Sequence, residues 1–393
     1  MNRALVLLLS LTCGISVGNI YFPQAISPLV ATGLGVPVDA AAMVATAVQF
    51  GYSIGIFLLV PLGDRVPHRL LITSLLAITG LGLLAAAAAP ALPPLVAASA
   101  LIGTTNVIAP LISPFAAGLA GERRRGAVIG TLLSGSIGGM LLSRAFGGSL
   151  GEWLGWRAPY LVSAALVLIV AVVLACALPS TEPPSAQRYP ALLGESLRLL
   201  RTEPELRRSC FYQAMVFGSF TAVWTGVALL LTSPVYGLGA PAVGALAVVG
   251  AATMVCTPIA GRQADRRGPD AVNLVCTIGT ITSAALLAVG SFGGAVGLVS
   301  LVLGTLVLDV AMQSGMVANQ VRIYALRPEA RSRLNTAYMT CAYLGGSAGS
   351  WLGVRAFAHF GWPGVCGLVV LLSGSALAGL LLSMRRRGAG AAV

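Results

Sequence analysis

Two ionisable residues lie inside long apolar runs, where a charge is costly. Asp309 is flanked by Leu-Val-Leu and Val-Ala-Met, and Arg144 by Leu-Leu-Ser and Ala-Phe-Gly. In a low dielectric a carboxyl loses the hydration of its ionised form, so it can gain and lose a proton near the working pH. An arginine keeps its charge in any surroundings and can bind an anion. Because ionisable residues at bilayer depth usually mark function, we predict a proton-coupling role for this pair.

Other interpretations of both residues stay open at this stage. Asp309 can instead be tied permanently to a packing partner. Arg144 can pair with Asp309, bind an anionic group of a ligand, or reach the outer edge of the apolar region. The sequence does not show contact between the two residues, so their pairing is a hypothesis.

Uncharged polar residues recur in the same apolar runs and can line a central cavity. At an offset of 207 residues Asn106 matches Gln313, which suggests that two halves present equivalent polar groups. The alternative for each residue is a hydrogen bond between helices or a role as an anchor at the membrane interface. The predicted cavity residues are Asn19, Tyr21, Gln24, Gln49, Tyr52, Asn106, Gln213, Trp224 and Gln313.

The composition indicates what kind of protein carries these residues. The chain is 57% hydrophobic and 9% charged, against roughly 25% charged in soluble proteins. With about 20 apolar residues per crossing, 393 residues accommodate twelve transmembrane helices with short loops. We therefore predict an all-α polytopic membrane protein embedded in a lipid bilayer.

The distribution of arginine predicts the orientation of the chain. The net charge is +12, and every basic residue is an arginine. By the predicted segmentation, 21 arginines fall in alternate loops and the two tails, whereas Arg157 and Arg355 fall in the opposite loops. This asymmetry follows the positive-inside rule and places both termini in the cytoplasm. It explains the positive charge without a nucleic-acid partner.

The apolar runs divide the chain into two halves of six. A proline-rich segment followed by a short amphipathic helix lies between them, and we expect that helix at the cytoplasmic surface. The predicted domains are a bundle at 1–178, a linker at 179–208 and a bundle at 209–393. The predicted crossings are 4–30, 40–61, 70–89, 94–116, 127–149, 158–178, 209–232, 241–260, 271–290, 296–318, 334–354 and 364–384.

A charged turn occurs once in each half. Residues 60–69 read Val-Pro-Leu-Gly-Asp-Arg-Val-Pro-His-Arg, and residues 261–268 read Gly-Arg-Gln-Ala-Asp-Arg-Arg-Gly. The offset between the two aspartates is 201 residues. A second pair of acidic sites, at 121–122 and 328–329, agrees at an offset of 207. An internal repeat of half a membrane protein indicates a pseudo-symmetric transporter architecture.

Six plus six helices, a central linker and this repeated turn resemble the major facilitator superfamily. That family's turn reads roughly G-x-x-x-D-R-x-G-R-R. This chain departs from it at Val60 and Pro67, and again at Pro269 and Asp270. An aspartate there can pair with arginines or accept from a neighbouring helix's N–H groups. The alternative is a solvated turn that only sets topology. The predicted conformational latch comprises Asp64, Arg65, Arg69, Gly261, Asp265, Arg266 and Gly268.

The fifth predicted crossing carries a run of small residues that resembles the superfamily's antiporter motif, g-x-x-x-G-P-x-x-G-G. The matching residues are Gly130, Gly135, Gly138 and Gly139, with Ser134 at the central glycine and Gly135 at the proline. Small residues would equally allow a neighbouring helix to approach closely. Antiport is favoured by this resemblance, and symport stays open.

The resemblance implies a monomeric secondary transporter that works by alternating access, with the substrate bound near the midplane between the two halves. We expect proton-coupled efflux of small apolar or amphipathic compounds through a bacterial inner membrane. The alternative substrate is a small metabolite such as an organic anion.

A membrane-embedded enzyme or sensor is the prediction from another class. The chain has two histidines, in no metal or acyl-transfer constellation, and no GxxxxGK[ST] phosphate loop. No separate soluble signalling domain is evident. We expect no cofactor and no metal, and we expect the seven cysteines to act as small core residues.

Overall fold

A computed structural model describes residues 2–120, 125–179, 188–327 and 330–390. The regular structure in these ranges is helical, without a strand. Short 3₁₀ segments at Val60–Asp64, Gly250–Ala252 and Gly290–Phe292 adjoin the α-helices. The α-helices are α1 Arg3–Leu34, α2 Val38–Ala41, α3 Met43–Leu59, α4 His68–Ala87, α5 Leu92–Thr105, α6 Ile108–Leu119, α7 Arg125–Leu154, α8 Ala158–Ala177, α9 Tyr189–Thr202, α10 Pro204–Thr232, α11 Ala240–Val249, α12 Thr253–Arg267, α13 Pro269–Val289, α14 Gly294–Leu326 and α15 Arg331–Gly390.

Most of these helices are long and apolar enough to cross a membrane. Within the described ranges there are ten candidate spans, or eleven if Ala240–Ala252 and Cys256–Arg267, which are bent by 40°, form one. The 60-residue α15 joins two helical segments at Gly361, whose φ of 64° and ψ of −159° are not helical. The all-α polytopic fold is thus confirmed, whereas the count of twelve crossings stays a prediction.

The chain forms two compact units. Unit 1 comprises Met1–Glu195 with Leu238–Val248, and unit 2 comprises Ser196–Gly237 with Val249–Val393. The domain limits predicted from the sequence, near 178 and 209, stay a prediction. The boundary between the two units falls within α9, the helix expected after the proline-rich linker.

In unit 1 the backbones of α1 and α7 touch. A Cβ atom on Gly14 would lie 2.8 Å from the carbonyl oxygen of Gly135, and the Cα of Gly139 lies close by. One turn earlier, the Ser10 hydroxyl donates to the Thr131 carbonyl at 2.8 Å. The glycines of the run that resembles the antiporter motif therefore form a helix–helix contact, because only a missing side chain permits this approach.

In unit 2 the same kind of contact joins α10 to α15. A Cβ atom on Gly345 would lie 2.5 Å from the Cα of Ala214. One turn along both helices, Gly349 meets Gly218 in the same way. Both pairs are 131 residues apart, so the two helices run parallel in a fixed register.

Hydroxyl groups reinforce the contact between α10 and α15. Thr221 donates through Oγ1 to the carbonyl of Gly346 at 2.5 Å, and the hydroxyls of Thr225 and Ser350 lie 3.1 Å apart. The two residues of each pair are 125 positions apart, six fewer than in the glycine pairs. Hydrogen bonds of this kind add specificity to a contact that the glycines already make close.

The fourth predicted crossing is not one continuous helix. Instead α5 ends at Thr105 and α6 begins at Ile108. Pro110 has no N–H to donate to the carbonyl of Asn106, which interrupts the ladder of hydrogen bonds. The Ser16 hydroxyl on α1 donates to that carbonyl at 3.1 Å instead.

The predicted linker helix is found as α9. The phenol of Tyr189 donates to the carbonyl of Leu58 at 2.5 Å, which ties the start of α9 to the end of α3 in unit 1. In unit 2, Leu199 near the other end of α9 packs with Leu206. The preceding proline-rich residues, 180–187, lie outside the described residues, as do the acidic repeat sites at 121–122 and 328–329.

We expect Gly349→Val to destabilise unit 2 because the added side chain would collide with the backbone of Gly218. Overpacking of this kind costs roughly 1–3 kcal/mol. Gly374→Val, in the segment of α15 that follows Gly361, is the control, because a Cβ there meets no atom within 4 Å. Thermal unfolding of the detergent-solubilised protein checks this; equal losses of Tm in both variants would contradict the contact.

Candidate functional site

In unit 1 the buried arginine is held by polar and aromatic neighbours. Arg144 on α7 is 0% exposed. Its Nε and Nη2 donate to Oε1 of Gln24 on α1, at 3.2 and 3.0 Å. Its guanidinium carbon also lies 5.0 Å from the centre of the Tyr21 ring, which is within range of a cation–π interaction. Arg144 is therefore enclosed by α1 and α7, and its functional role stays a prediction.

Several buried amides in unit 1 have hydrogen-bonding atoms that are unmet among the described residues. These atoms are both polar atoms of the Gln49 side chain, Nε2 of Gln24 and Nδ2 of Asn19. Gln49 is on α3 together with Tyr52, which is also buried. Buried polar atoms are nearly always hydrogen-bonded in folded proteins, so unmet amides are the atoms best suited to a ligand.

The side chain of Asn106 is engaged between helices. Its Oδ1 accepts from the Ser16 hydroxyl at 2.9 Å, and its Nδ2 donates to the Ser16 carbonyl at 2.5 Å. These bonds fasten the break between α5 and α6 to α1. Both polar atoms of this amide are therefore hydrogen-bonded to Ser16 in this structure. The predicted place of Asn106 in the substrate cavity stays a prediction.

In unit 2 the buried carboxyl has an indole as its neighbour. Asp309 on α14 is 1% exposed and accepts from Nε1 of Trp224 on α10 at 2.9 Å. The proton-coupling role of Asp309 stays a prediction. Gln313, one turn further along α14, is half-buried.

Three amides form a chain in unit 2. Asn319 and Asn273 donate to each other through Nδ2 at 3.2 and 3.1 Å. Asn319 also donates to Oε1 of Gln213 at 3.5 Å, while Nε2 of Gln213 has no partner in the described ranges. Gln213 was predicted from the sequence, and the two asparagines were not.

A network of charges lies beside these amides, where α10, α13 and α14 meet. Asp270 in the first turn of α13 pairs with Arg322 and, at 3.1 Å, with Arg208. Glu205 pairs with Arg208 at 2.9 Å and with Arg322 at 3.7 Å. The guanidinium of Arg208 also donates to the Ser383 hydroxyl at 2.6 Å. The side chain of Arg322 is only 7% exposed, so this is a partly desolvated network rather than a surface pair.

Sequence reasoning missed this network for identifiable reasons. Arg322 was counted with the loop arginines that set topology, whereas it lies inside α14. Asp270 was noted only as a departure from the family's turn. A usable signal was present in the spacing: Asp270 and Asn273 on one helix, and Asn319 and Arg322 on the next, are each three residues apart and share a face.

The predicted latch residues are not among the members of this charge network. In unit 2, Asp265 and Arg266 are exposed in the last turn of α12, and no described arginine pairs with Asp265. A carboxylate is unfavourable at a helix C-terminus, whereas Asp270 meets the favourable N-terminal end of α13. Between them Gly268, at φ 85°, ends α12 and begins α13. Gly261 is half-buried on α12.

In unit 1 the first copy of the turn is a 3₁₀ segment followed by α4. Asp64 and Arg69 are half-buried, Arg65 is exposed, and Asp64 interacts electrostatically with His68. A role for this turn as a conformational latch therefore stays a prediction.

The residues that resemble the antiporter motif do not share one environment. Gly135 and Gly139 face α1, whereas a Cβ on Gly130 would meet no atom within 4 Å. Gly138 lies beside Phe22 and Leu142 in a groove between α1 and α7. The tight packing belongs to two of the four glycines.

We expect Asp270→Asn to destabilise unit 2, because Arg208 and Arg322 lose a shared counter-charge. Hydrogen bonds to charged groups contribute about 1.5–3 kcal/mol each, and the partial exposure of Asp270 reduces this figure. The matched control is Asp265→Asn, five residues earlier and exposed. Thermal unfolding should show a lower Tm for the first variant alone; a larger loss in the control would contradict the network.

Comparison with known proteins agrees with this architecture. The model of the Major Facilitator Superfamily matches residues 7–350. The putative uncharacterized transporter YgaY of Escherichia coli K12 is 32% identical over 366 residues, which cover 93% of this chain and 92% of the relative. A chloramphenicol resistance protein of Streptomyces lividans is 28% identical over 242 residues, 61% of each chain. A crystal structure of a mutant of the nucleoside transporter NupG has a TM-score of 0.76 and 14% identity, and the match covers 98% of this chain and 99% of that one. This chain belongs to the Major Facilitator Superfamily.

Proposed function

We propose that this transporter exports small apolar or amphipathic compounds in exchange for protons. The observation that carries the proposal is Asp309, a carboxyl that is 1% exposed and bonded to the indole of Trp224. A proton is the simplest coupling ion for such a site, because its binding removes the charge that burial disfavours.

Buried aromatic side chains in each unit support an apolar substrate. Unit 2 carries an aromatic row on α10, in which the rings of Phe217 and Phe220 are stacked 5.6 Å apart and Trp224 follows at 6.3 Å from Phe220. In unit 1, Tyr21 and Tyr52 are buried beside unmet amides. Aromatic rings and a few polar groups suit a compound with an apolar body. The relative named as a chloramphenicol resistance protein supports the same substrate class.

Alternating access requires units that stay intact while the substrate site opens to either side. The glycine contacts between α1 and α7, and between α10 and α15, hold each unit together through backbone packing. Such contacts resist deformation because close-packed helices cannot slide without steric clash. We propose that the two units move as bodies, with the substrate bound near the bilayer midplane.

The proposal also covers the oligomeric state, the membrane and the conformational latch. The protein works as a monomer in a bacterial inner membrane, with both termini in the cytoplasm. Its turn at Asp64, Arg65 and Arg69 serves as the conformational latch of unit 1. In unit 2 the copy at Asp265 and Arg266 acts together with the neighbouring network of Asp270.

We expect Asp309→Asn to abolish substrate-driven proton movement and to leave substrate binding in place, because asparagine keeps the shape and loses the titrating group. Proteoliposomes that contain a pH-sensitive dye measure the flux while a panel of apolar compounds, including chloramphenicol, is added. Asp39→Asn, an exposed carboxyl in α2, is the matched control. Proton flux in Asp309→Asn equal to that of the control would make Asp309 a packing residue.

A second function is favoured by Arg144. A guanidinium that is 0% exposed and held by the Gln24 amide can bind the carboxylate of an organic anion. The protein would then carry a small metabolite, coupled to protons through the same carboxyl.

We expect Arg144→Gln to lose transport of organic anions in the same vesicles, if an anion is the substrate, and to retain export of neutral compounds. Arg355→Gln is the control, because Arg355 is exposed and lies over the ring of Trp351. If no anion in the panel is carried by the unmodified protein, the metabolite function is excluded for that panel.

A further inference from the structure

Two of the seven cysteines meet in unit 2. Cys210 on α10 and Cys341 on α15 are 131 residues apart in sequence, and their side chains lie in the same cluster, where the two thiols interact. Cys210 is buried in a cluster with Leu206, Ile323 and Tyr338, and Cys341 packs against that cluster while half-buried. Neither residue belongs to the substrate or proton site described above.

The helix register explains why these thiols meet. A separation of 131 residues also joins Ala214 to Gly345 and Gly218 to Gly349, the backbone contacts of α10 with α15. Cys210 lies four residues before Ala214, and Cys341 lies four residues before Gly345. The cysteines therefore continue the same parallel helix–helix contact, one turn nearer to the start of both helices.

We propose that Cys210 and Cys341 form a redox-sensitive dithiol that a peroxide converts to a disulfide between α10 and α15. A disulfide requires Cα atoms about 4.4–6.8 Å apart and side chains that point towards each other. The backbones of the two helices touch one turn away, at Ala214 and Gly345, and both cysteine side chains lie in one cluster, an arrangement that favours such a bond.

The reaction is balanced with hydrogen peroxide as the oxidant. The half-buried sulfur of Cys341, as the thiolate, attacks one peroxide oxygen; the O–O bond breaks, and the leaving hydroxide takes up the thiol's proton to form water. The resulting sulfenic acid is then attacked by the sulfur of Cys210, the S–O bond breaks, and a second water leaves with the remaining thiol proton. Two electrons pass from the two sulfurs to the peroxide.

The cytoplasm determines whether the Cys210–Cys341 pair is normally reduced or oxidised. Cytosolic thiols are ordinarily kept reduced, so with the beginnings of α10 and α15 on the cytoplasmic side, as the proposed orientation places them, the dithiol is the ordinary form and the disulfide appears during oxidative exposure. The bond would tie α10 and α15 together one turn from the glycine contact, in addition to that contact. This site does not depend on which compound the protein carries.

Counting thiols tests the proposal. The purified protein is treated with hydrogen peroxide, denatured, and labelled with a maleimide-polyethylene glycol that retards each labelled chain in proportion to its free thiols. The unmodified protein has seven cysteines and should lose two labels on oxidation, and dithiothreitol should restore both. Digestion and mass spectrometry should identify a peptide pair that contains Cys210 and Cys341.

Variants make the test specific. Cys210→Ser and Cys341→Ser each lack one partner, so neither should lose a pair of labels that dithiothreitol restores. Cys276→Ser removes a buried cysteine of a different cluster and should still lose two. Retention of all seven labels after peroxide treatment, or a reducible loss of two labels in Cys210→Ser, would overturn the proposal. Loss of labels that dithiothreitol does not restore would indicate oxidation of separate thiols and would also overturn it.

Discussion

The close approach of helix backbones is the constraint on which each unit depends. In lipid, apolar surface gains little from contacting other apolar surface, so helices associate through tight packing and hydrogen bonds. Gly14 and Gly139 in unit 1, and Gly218 and Gly349 in unit 2, remove the side chains that would hold the helices apart. The contact then brings side-chain polar groups within reach of backbone carbonyls, as Ser10 donates to Thr131.

Burial of polar groups is the second constraint. Some buried polar side chains have hydrogen-bond partners within the protein, and others have none among the described residues. Asn106 satisfies its amide on Ser16, and Asp270 satisfies two arginines at once. The amide of Gln49 has no described partner, although it is fully buried. A membrane protein that keeps such groups without protein partners places polar atoms where a ligand can use them. Asn106 and Asp270 are thus engaged within the protein, whereas a ligand-binding role for Gln49 stays a prediction.

The sequence predicts the kind of fold well and the contacts poorly, for physical reasons. Hydropathy and arginine asymmetry depend on local composition, so the helices and the linker helix α9 could be predicted. Burial of Asp309 and Arg144 followed from their apolar flanks. The partners Gln24 and Trp224 could not be assigned, because residues 120 and 85 positions apart meet only through packing. The break at Asn106 was signalled by Pro110 and was overlooked.

The central claim is that substrate leaves in exchange for protons, and the direction of proton flow tests it most directly. Vesicles that contain the unmodified protein are loaded with an apolar compound and diluted into compound-free medium, with a pH-sensitive dye inside. The account predicts that outward movement of the compound acidifies the vesicle interior. Alkalinisation of the interior, which means that protons leave together with the compound, or an unchanged internal pH during export, would contradict it.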